Sequence, residues 1–430
     1  MTEISLIQAA QSVPSADCAD GDAREVSPSR LFFYWALPCV FWLCLLYVAE
    51  IQIRKWPLEV SGYPVFRDFM NLWAGAVSVL QGHLTSVFDS GLHSAEIGRL
   101  LAIPPPSLMW SYPPTALLLV LPFGLLPFPV ASAIWIGLGL IAYFLAAGAM
   151  SVGRPDRTIW FAAILLCPGV ATCAAYGQTA FLTSAALIVG LLEARRRPMV
   201  SGLCFALLAA KPQVAIVVPF ALAALGAGRA VLATAFFVCL YLGATVLVFG
   251  VEAWRLFMDI TMPQQFAVLN SEAFKPVMMM SPYFLFRGLG ASLWWSYTLQ
   301  VVVSVVALVT VCVPLMRERD ENIQILVIAC AALVTSAYMQ TYELPLLVAA
   351  VARVCASRTG FTRFSGKRIH VLLASVTIGM LIAMGIVMTM KVNVIAVILI
   401  GLLGWLARDI LSESRAKDRG RFRKAAASLG

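Results

Sequence analysis

The chain is short of charge. Asp, Glu, Lys and Arg make up 12% of its 430 residues against 61% apolar residues, a balance that excludes an ordinary water-soluble domain. It also lacks the strict apolar–polar alternation of a transmembrane β-barrel. Apolar runs of about 20 residues recur instead, each long enough to cross a hydrocarbon core of about 30 Å. The first 30 residues have neither the basic start nor the apolar core of a signal peptide. They carry Glu3, Asp17, Asp20, Asp22 and Glu25 and read as a disordered cytoplasmic leader, followed by an uncleaved first span at 31–49. Metal-ligand spacing is missing among the ten cysteines, and all except Cys18 sit in apolar runs. Cysteines so placed behave as small hydrophobes, so neither a disulfide nor a zinc site is expected. His83, His93 and Glu96 form the one cluster with any metal character, and their spacing is loose. No metal is assigned and no cofactor is expected. No internal repeat is visible, which weakens a transporter built on repeats.

What charge there is has a place. The net charge of +9 comes mostly from clusters at 195–197, 353–368 and 408–424, between and after apolar runs. Lys and Arg collect there in cytoplasmic loops, so nucleic acid is a poor explanation. The basic tail could also touch anionic lipid headgroups. The expected fold is an all-α, polytopic integral membrane protein of about ten full spans plus short re-entrant or interfacial helices. One transmembrane domain covers 31–407, with outer loops at 50–113 and 251–290 and a basic cytoplasmic tail at 408–430.

Two segments are too short or too polar to cross comfortably. Residues 115–126 are apolar for only about a dozen positions, which fits a re-entrant or interfacial helix. Residues 198–228 are interrupted by Lys211 and Pro212, and a lysine in mid-membrane is costly. Either two half-depth helices form a hairpin with Lys211 near its tip, or one kinked span lets Lys211 snorkel to an interface. Counting both segments as non-crossing, with both termini inside, puts Arg154, Arg195 to Arg197, Arg229, Arg317 to Arg319 and the tail in the cytoplasm. Every basic cluster then obeys the positive-inside rule. The location implied is a bacterial-type inner membrane with its site on the outer face.

The stretch 63–89 organises the rest. Phe69, Leu72, Trp73, Ala76, Val79 and Leu80 recur at helical spacing, the mark of an amphipathic helix lying along the membrane surface. Asp68, in its first turn, either caps the helix or serves as a general base tuned by partial desolvation. On the outer face the topology gathers Asp68 with Tyr112, Gln178, Asn270, Tyr342 and Glu343, and with the deep Lys211. One carboxylate, several aromatics, amides and a cation are what a sugar and a lipid phosphate need.

These residues also resemble a known family. The run RDFMNLWAGA at 67–76, then Gln81 with Gly82 and Val87, Phe88, Asp89, is similar to the opening signature of glycosyltransferase family 87, in the GT-C superfamily. Tyr112, Pro113, Pro114 with Leu121, Pro122 and Leu126, Pro127 resemble its second block. Tyr176, Gly177, Gln178, Thr179 resemble the third, and Ser201, Gly202, Leu203 through Ala209, Ala210, Lys211, Pro212 the fourth. For the family's second outer-loop motif the chain offers Asn270 and Ser271.

The resemblance implies a hexosyl- or pentosyltransferase with a polyprenyl-phosphate sugar donor and a lipid or glycan acceptor. It places Asp68 as the general base of an inverting transfer. Lys211, with Arg67, would neutralise the donor phosphate, and Tyr112, Gln178, Asn270, Tyr342 and Glu343 would line the sugar or acceptor site. The rival is a transporter or flippase of a lipid-linked sugar, which shares the cavity but needs access from both faces.

Overall fold

The computed structural model describes residues 64–148, 167–271, 278–357 and 367–427, with positions 40, 53–55, 58–59, 62 and 164 besides. The leader, all but Val40 of the first span, Arg154, Arg157 and the loop 358–366 lie outside the described residues. A two-stranded antiparallel hairpin, β1 (Ile53–Lys55) and β2 (Leu58–Glu59), precedes an otherwise helical chain.

The helices begin with α1 (Arg67–Leu80), α2 (Ser90–Leu101), α3 (Pro114–Val120) and α4 (Phe128–Ala146). Next come α5 (Pro168–Tyr176), α6 (Ala180–Glu193), α7 (Pro198–Leu207), α8 (Val218–Ala224) and α9 (Gly228–Leu256). Proline at the start of α3, α4, α5 and α7 costs nothing there, because the first helical N–H has no partner within the helix. After α9 follow α10 (Met262–Asn270), α11 (Pro282–Gly288), α12 (Leu293–Arg317), α13 (Glu321–Val334) and α14 (Pro345–Ala356). The chain closes with α15 (Lys367–Val376), α16 (Ile378–Met390) and α17 (Ile395–Ala427).

Among the described residues, four helical stretches are long and apolar enough to cross a membrane: Phe128–Ala146, Gly228–Asn270, Leu293–Arg317 and Ile395–Arg415. Gly228–Asn270 is not one straight rod. Gly250, at φ 74° and ψ 170°, breaks α9, and a π turn at Phe257–Thr261 joins it to α10. Much of the expected outer loop at 251–290 is therefore helical. Six shorter apolar helices complete the set, Pro114–Leu125 among them.

The segment around Lys211 runs out and back. Pro212 disfavours helical backbone at the residue before it, and Lys211 accordingly sits at φ −145°, ψ 69°. The Arg195 side chain, just before α7, donates to the carbonyl of Leu225, just after α8, at 2.7 and 3.1 Å. Both ends of the segment thus lie together with Lys211 at the far turn. The hairpin is the arrangement adopted, and the single kinked rod is not.

The bundle has two chemically different ends. At one, Arg196 pairs with Glu321 at 2.8 Å, and Arg353 reaches Asn322 at 3.0 Å and the Ala146 carbonyl at 2.9 Å. At the other lie Gln178, Lys211 and the turn Thr341–Glu343. Between Gln178 and Arg195 lies helix α6, 14 residues long, about 21 Å at 1.5 Å per residue.

Candidate active site

A cavity of about 580 Å³ opens at the less basic end, within the range of small-ligand sites. Asp68, Gln178, Lys211 and Tyr112 line it, with Asn71 and Tyr342. Ser90, Gly91 and Ser94 contribute from α2, Gln213 from the hairpin, and Tyr338 and Gln340 from the turn before α14.

Helix α1 positions the carboxylate. Its N-cap is Phe66, held in the left-handed region at φ 50° and ψ 42°, a conformation that is strained for a bulky residue. Asp68 follows inside the first turn and makes no capping bond, so the capping role anticipated for it falls away. Its charge still gains from the helix N-terminus. The helix does not lie on a surface either, because every residue from Phe69 to Ser78 is buried. The stretch before Tyr112 covers its polar face: Asn71 donates to the Met109 carbonyl at 2.9 Å, and the Trp110 ring sits on Gly75, where a Cβ would come within 2.6 Å. On the other face Phe69 stacks against Trp135 with ring centroids 5.2 Å apart.

Gln178 meets Asp68 because Gly177 allows it. Gly177 ends α5 in the left-handed region at φ +67°, and a Cβ there would lie 2.7 Å from that of Phe69. Trp135 pins the turn by donating to the Gly177 carbonyl at 2.9 Å. Gln178 Nε2 then donates to Asp68 Oδ2 at 2.8 Å. Gln178 Oε1 accepts from Lys211 Nζ at 3.2 Å, from the Thr179 backbone N–H at 3.2 Å and from the Tyr112 hydroxyl at 3.5 Å. Lys211 also donates to Thr179 Oγ1 at 3.2 Å and forms an ion pair with Glu343. Its ammonium stands 4.9 Å from the Tyr342 ring centre.

Burial is the largest influence on the Asp68 carboxyl and raises its pKa, while the Gln178 hydrogen bond and the Arg67 and Lys211 charges pull it back. Burial likewise raises the Tyr112 phenol, reinforced by the charge of Asp68. Both effects reflect the poor solvation of charge beneath the cavity mouth.

Several expectations need correction. Lys211 has three donors, and Gln178, Thr179 and Glu343 take all three, so it has none left for a donor phosphate while the ion pair holds. Glu343 supports Lys211 from behind and is not among the cavity-lining residues. Arg67 does not line the cavity; its guanidinium lies 4.0 Å from the Tyr176 ring centre. Asn270 is elsewhere, accepting from Tyr283 at 3.1 Å and Tyr297 at 2.8 Å. Of His83, His93 and Glu96, to which no metal was assigned, His83 pairs with Glu96 at 3.3 Å, whereas His93 is buried 2.5 Å from Asn71 Oδ1. Tyr338, Gln340, Gln213, Ser90 and Ser94 are cavity residues that the sequence did not single out. The spacing of Ser90, Gly91 and Ser94 on one helical face was the available signal.

Among the described residues, helices long and apolar enough to cross a membrane surround a cavity walled by a carboxylate, amides and aromatic rings, the make-up of a helical, membrane-type protein with one polar site. More narrowly, the chain belongs to glycosyltransferase family 87, whose sequence profile matches residues 110–339, more than half of its length. Membership makes it a glycosyltransferase and is consistent with the GT-C superfamily. The matched region contains Tyr112, Gln178 and Lys211; the opening block with Asp68 precedes it. No curated protein and no solved structure matches the chain.

Proposed function

We propose that the protein moves a hexosyl or pentosyl unit from a polyprenyl-phosphate donor to a hydroxyl of a lipid or glycan acceptor at the outer face of a bacterial-type inner membrane. The observation that carries this reading is the Asp68 carboxylate in the cavity wall, with Oδ2 bound by Gln178 and its pKa raised by burial. A carboxylate of that kind suits general-base catalysis, since its proton affinity lies nearer to neutrality than that of a solvated one.

In the transfer, the acceptor oxygen attacks the anomeric carbon as Asp68 takes the hydroxyl proton. The bond from that carbon to the phosphate oxygen breaks, the lipid phosphate leaves with the electron pair, and the anomeric centre inverts. A phosphate leaves readily, so a strong general acid is unnecessary. Tyr112, Tyr338 and Tyr342 offer ring faces and hydroxyls for a sugar. Arg67 and Lys211 are the cations proposed for the departing phosphate, and each must leave its present partner to reach it, Arg67 the Tyr176 ring and Lys211 the Glu343 carboxylate.

The outer-face assignment is supported by the arginines gathered at the opposite end of the bundle. About ten crossings, with both termini in the cytoplasm, remain the topology proposed. The test is incubation of purified protein with radiolabelled polyprenyl-phosphate sugars and a membrane lipid extract. A labelled product whose anomeric configuration is opposite to that of the donor is expected. Labelled product from nucleotide sugars alone would contradict the donor class.

A further inference from the structure

An amide side chain has two ends of nearly the same shape, one accepting and one donating. At Gln178 the choice between them is made by its neighbours. The Lys211 ammonium and the Thr179 backbone N–H can only donate, and both point at one end of the amide from 3.2 Å. That end must be the oxygen, which leaves the N–H end for Asp68. Reversed, Gln178 would oppose two donors and would present an oxygen to a carboxylate, a contact tolerable only if Asp68 were protonated. Glu343 in turn makes Lys211 affordable, because an unpaired ammonium this deeply buried would be strongly disfavoured.

We propose that Lys211 and Glu343 are positioning residues: they fix the direction of the Gln178 amide, and that amide keeps Asp68 ionised and aimed as the base. The inference rests on the reading of Asp68 as general base. It gives Lys211 a purpose that needs no contact with the donor. Chain geometry agrees, since the lysine occupies the turn of the hairpin, where a Pro-enforced break delivers it to Gln178.

The test uses the full-length protein, reconstituted in lipid, and reads the pH dependence of kcat together with the donor KM. Gln178→Met removes the amide; Lys211→Met with Glu343→Met removes both charges and avoids an orphaned one. Each should move the acid limb of kcat upward by about one pH unit, the scale of a hydrogen bond to a charged acceptor. Donor KM should stay within about threefold. Combining all three substitutions should add nothing beyond either alone, because the direct pulls of Lys211 and Glu343 on Asp68 oppose each other and leave together, so the pair acts through the amide. Additive shifts, or a tenfold rise in donor KM with the acid limb unmoved, would overturn the proposal; the second would mean that Lys211 binds the donor phosphate.

If the paired substitution fails to fold by thermal melting, Gln178→Met and Gln178→Glu decide the matter. Both must raise the acid limb, and an unmoved limb in either overturns it. Asp68→Asn is run alongside: wild-type rates in that variant would sink the general-base reading itself, whatever the Gln178 variants do.

Discussion

The most consequential single side chain is Asp68. Its pKa is raised in the folded protein, mainly by burial, so holding it ionised near neutrality costs stability. The sign follows from proton counting: between the ordinary value of 3.8 and the raised one, the folded state binds more protons, and stability falls as pH rises through that window. Asp68→Asn should therefore lower transfer at least about 100-fold while the melting temperature at pH 7 stays level or rises. A fall in both together would mark Asp68 as structural. His93 has the opposite sign. Burial holds its imidazole at about 4, against 6.5 when free, so the unfolded chain takes up the proton first as pH drops. The protein should lose up to about 3 kcal/mol between pH 6.5 and pH 4 through this one ring. His93→Gln keeps a donor for Asn71 and should shrink the difference in melting temperature between pH 7 and pH 5. An unchanged difference would assign the acid sensitivity to other groups.

Individual elements meet at glycines, and these contacts decide whether the site assembles. Gly177 combines a left-handed backbone with a 2.7 Å approach to Phe69. Gly177→Ala should destabilise by about 2 kcal/mol or more and should lower kcat further by displacing Gln178. Paired melting and rate measurements check this, and a variant with full activity would show that the turn tolerates the shift. Gly202 lets the hairpin lie against α9, with a Cβ there only 2.5 Å from the Ala233 backbone. Small residues of this kind set close helix contacts in membranes. Gly202→Val should force the helices apart and lower the melting temperature, while the more exposed neighbour Leu203→Val should not.

Much at this scale was legible in the sequence. Lys211 before Pro212 within an apolar run announced a break, whereas Gly177 entered only as part of a family-like block and its left-handed turn was not foreseen. The environment of α1 was not legible: an amphipathic pattern identifies the apolar face but not what covers the other, here Met109 and Trp110. Asn270 was misplaced for a similar reason, since hydropathy puts a residue at one end of the bundle without saying which neighbours it faces. Tyr338 and Gln340 reach the cavity through a turn that carries no periodic signal.

At the scale of the whole molecule, polarity is divided along the bundle axis. Arg195, Arg196 and Arg353 bind at one end, and the cavity opens at the other. That separation is what positive-inside insertion would produce. The span total was less accessible, because several apolar helices here are too short to be counted as crossings by length. The proposal that the cavity opens outward and that Asp68 acts there is tested most directly by sidedness. Ser111, at the cavity wall, is changed by Ser111→Cys in vesicles of known orientation, which are then treated with a membrane-impermeant thiol reagent. Labelling above the parent protein is expected only when the outer face meets the reagent, and a polyprenyl-phosphate sugar should slow it. Labelling only from the cytoplasmic face would contradict an outward-facing site.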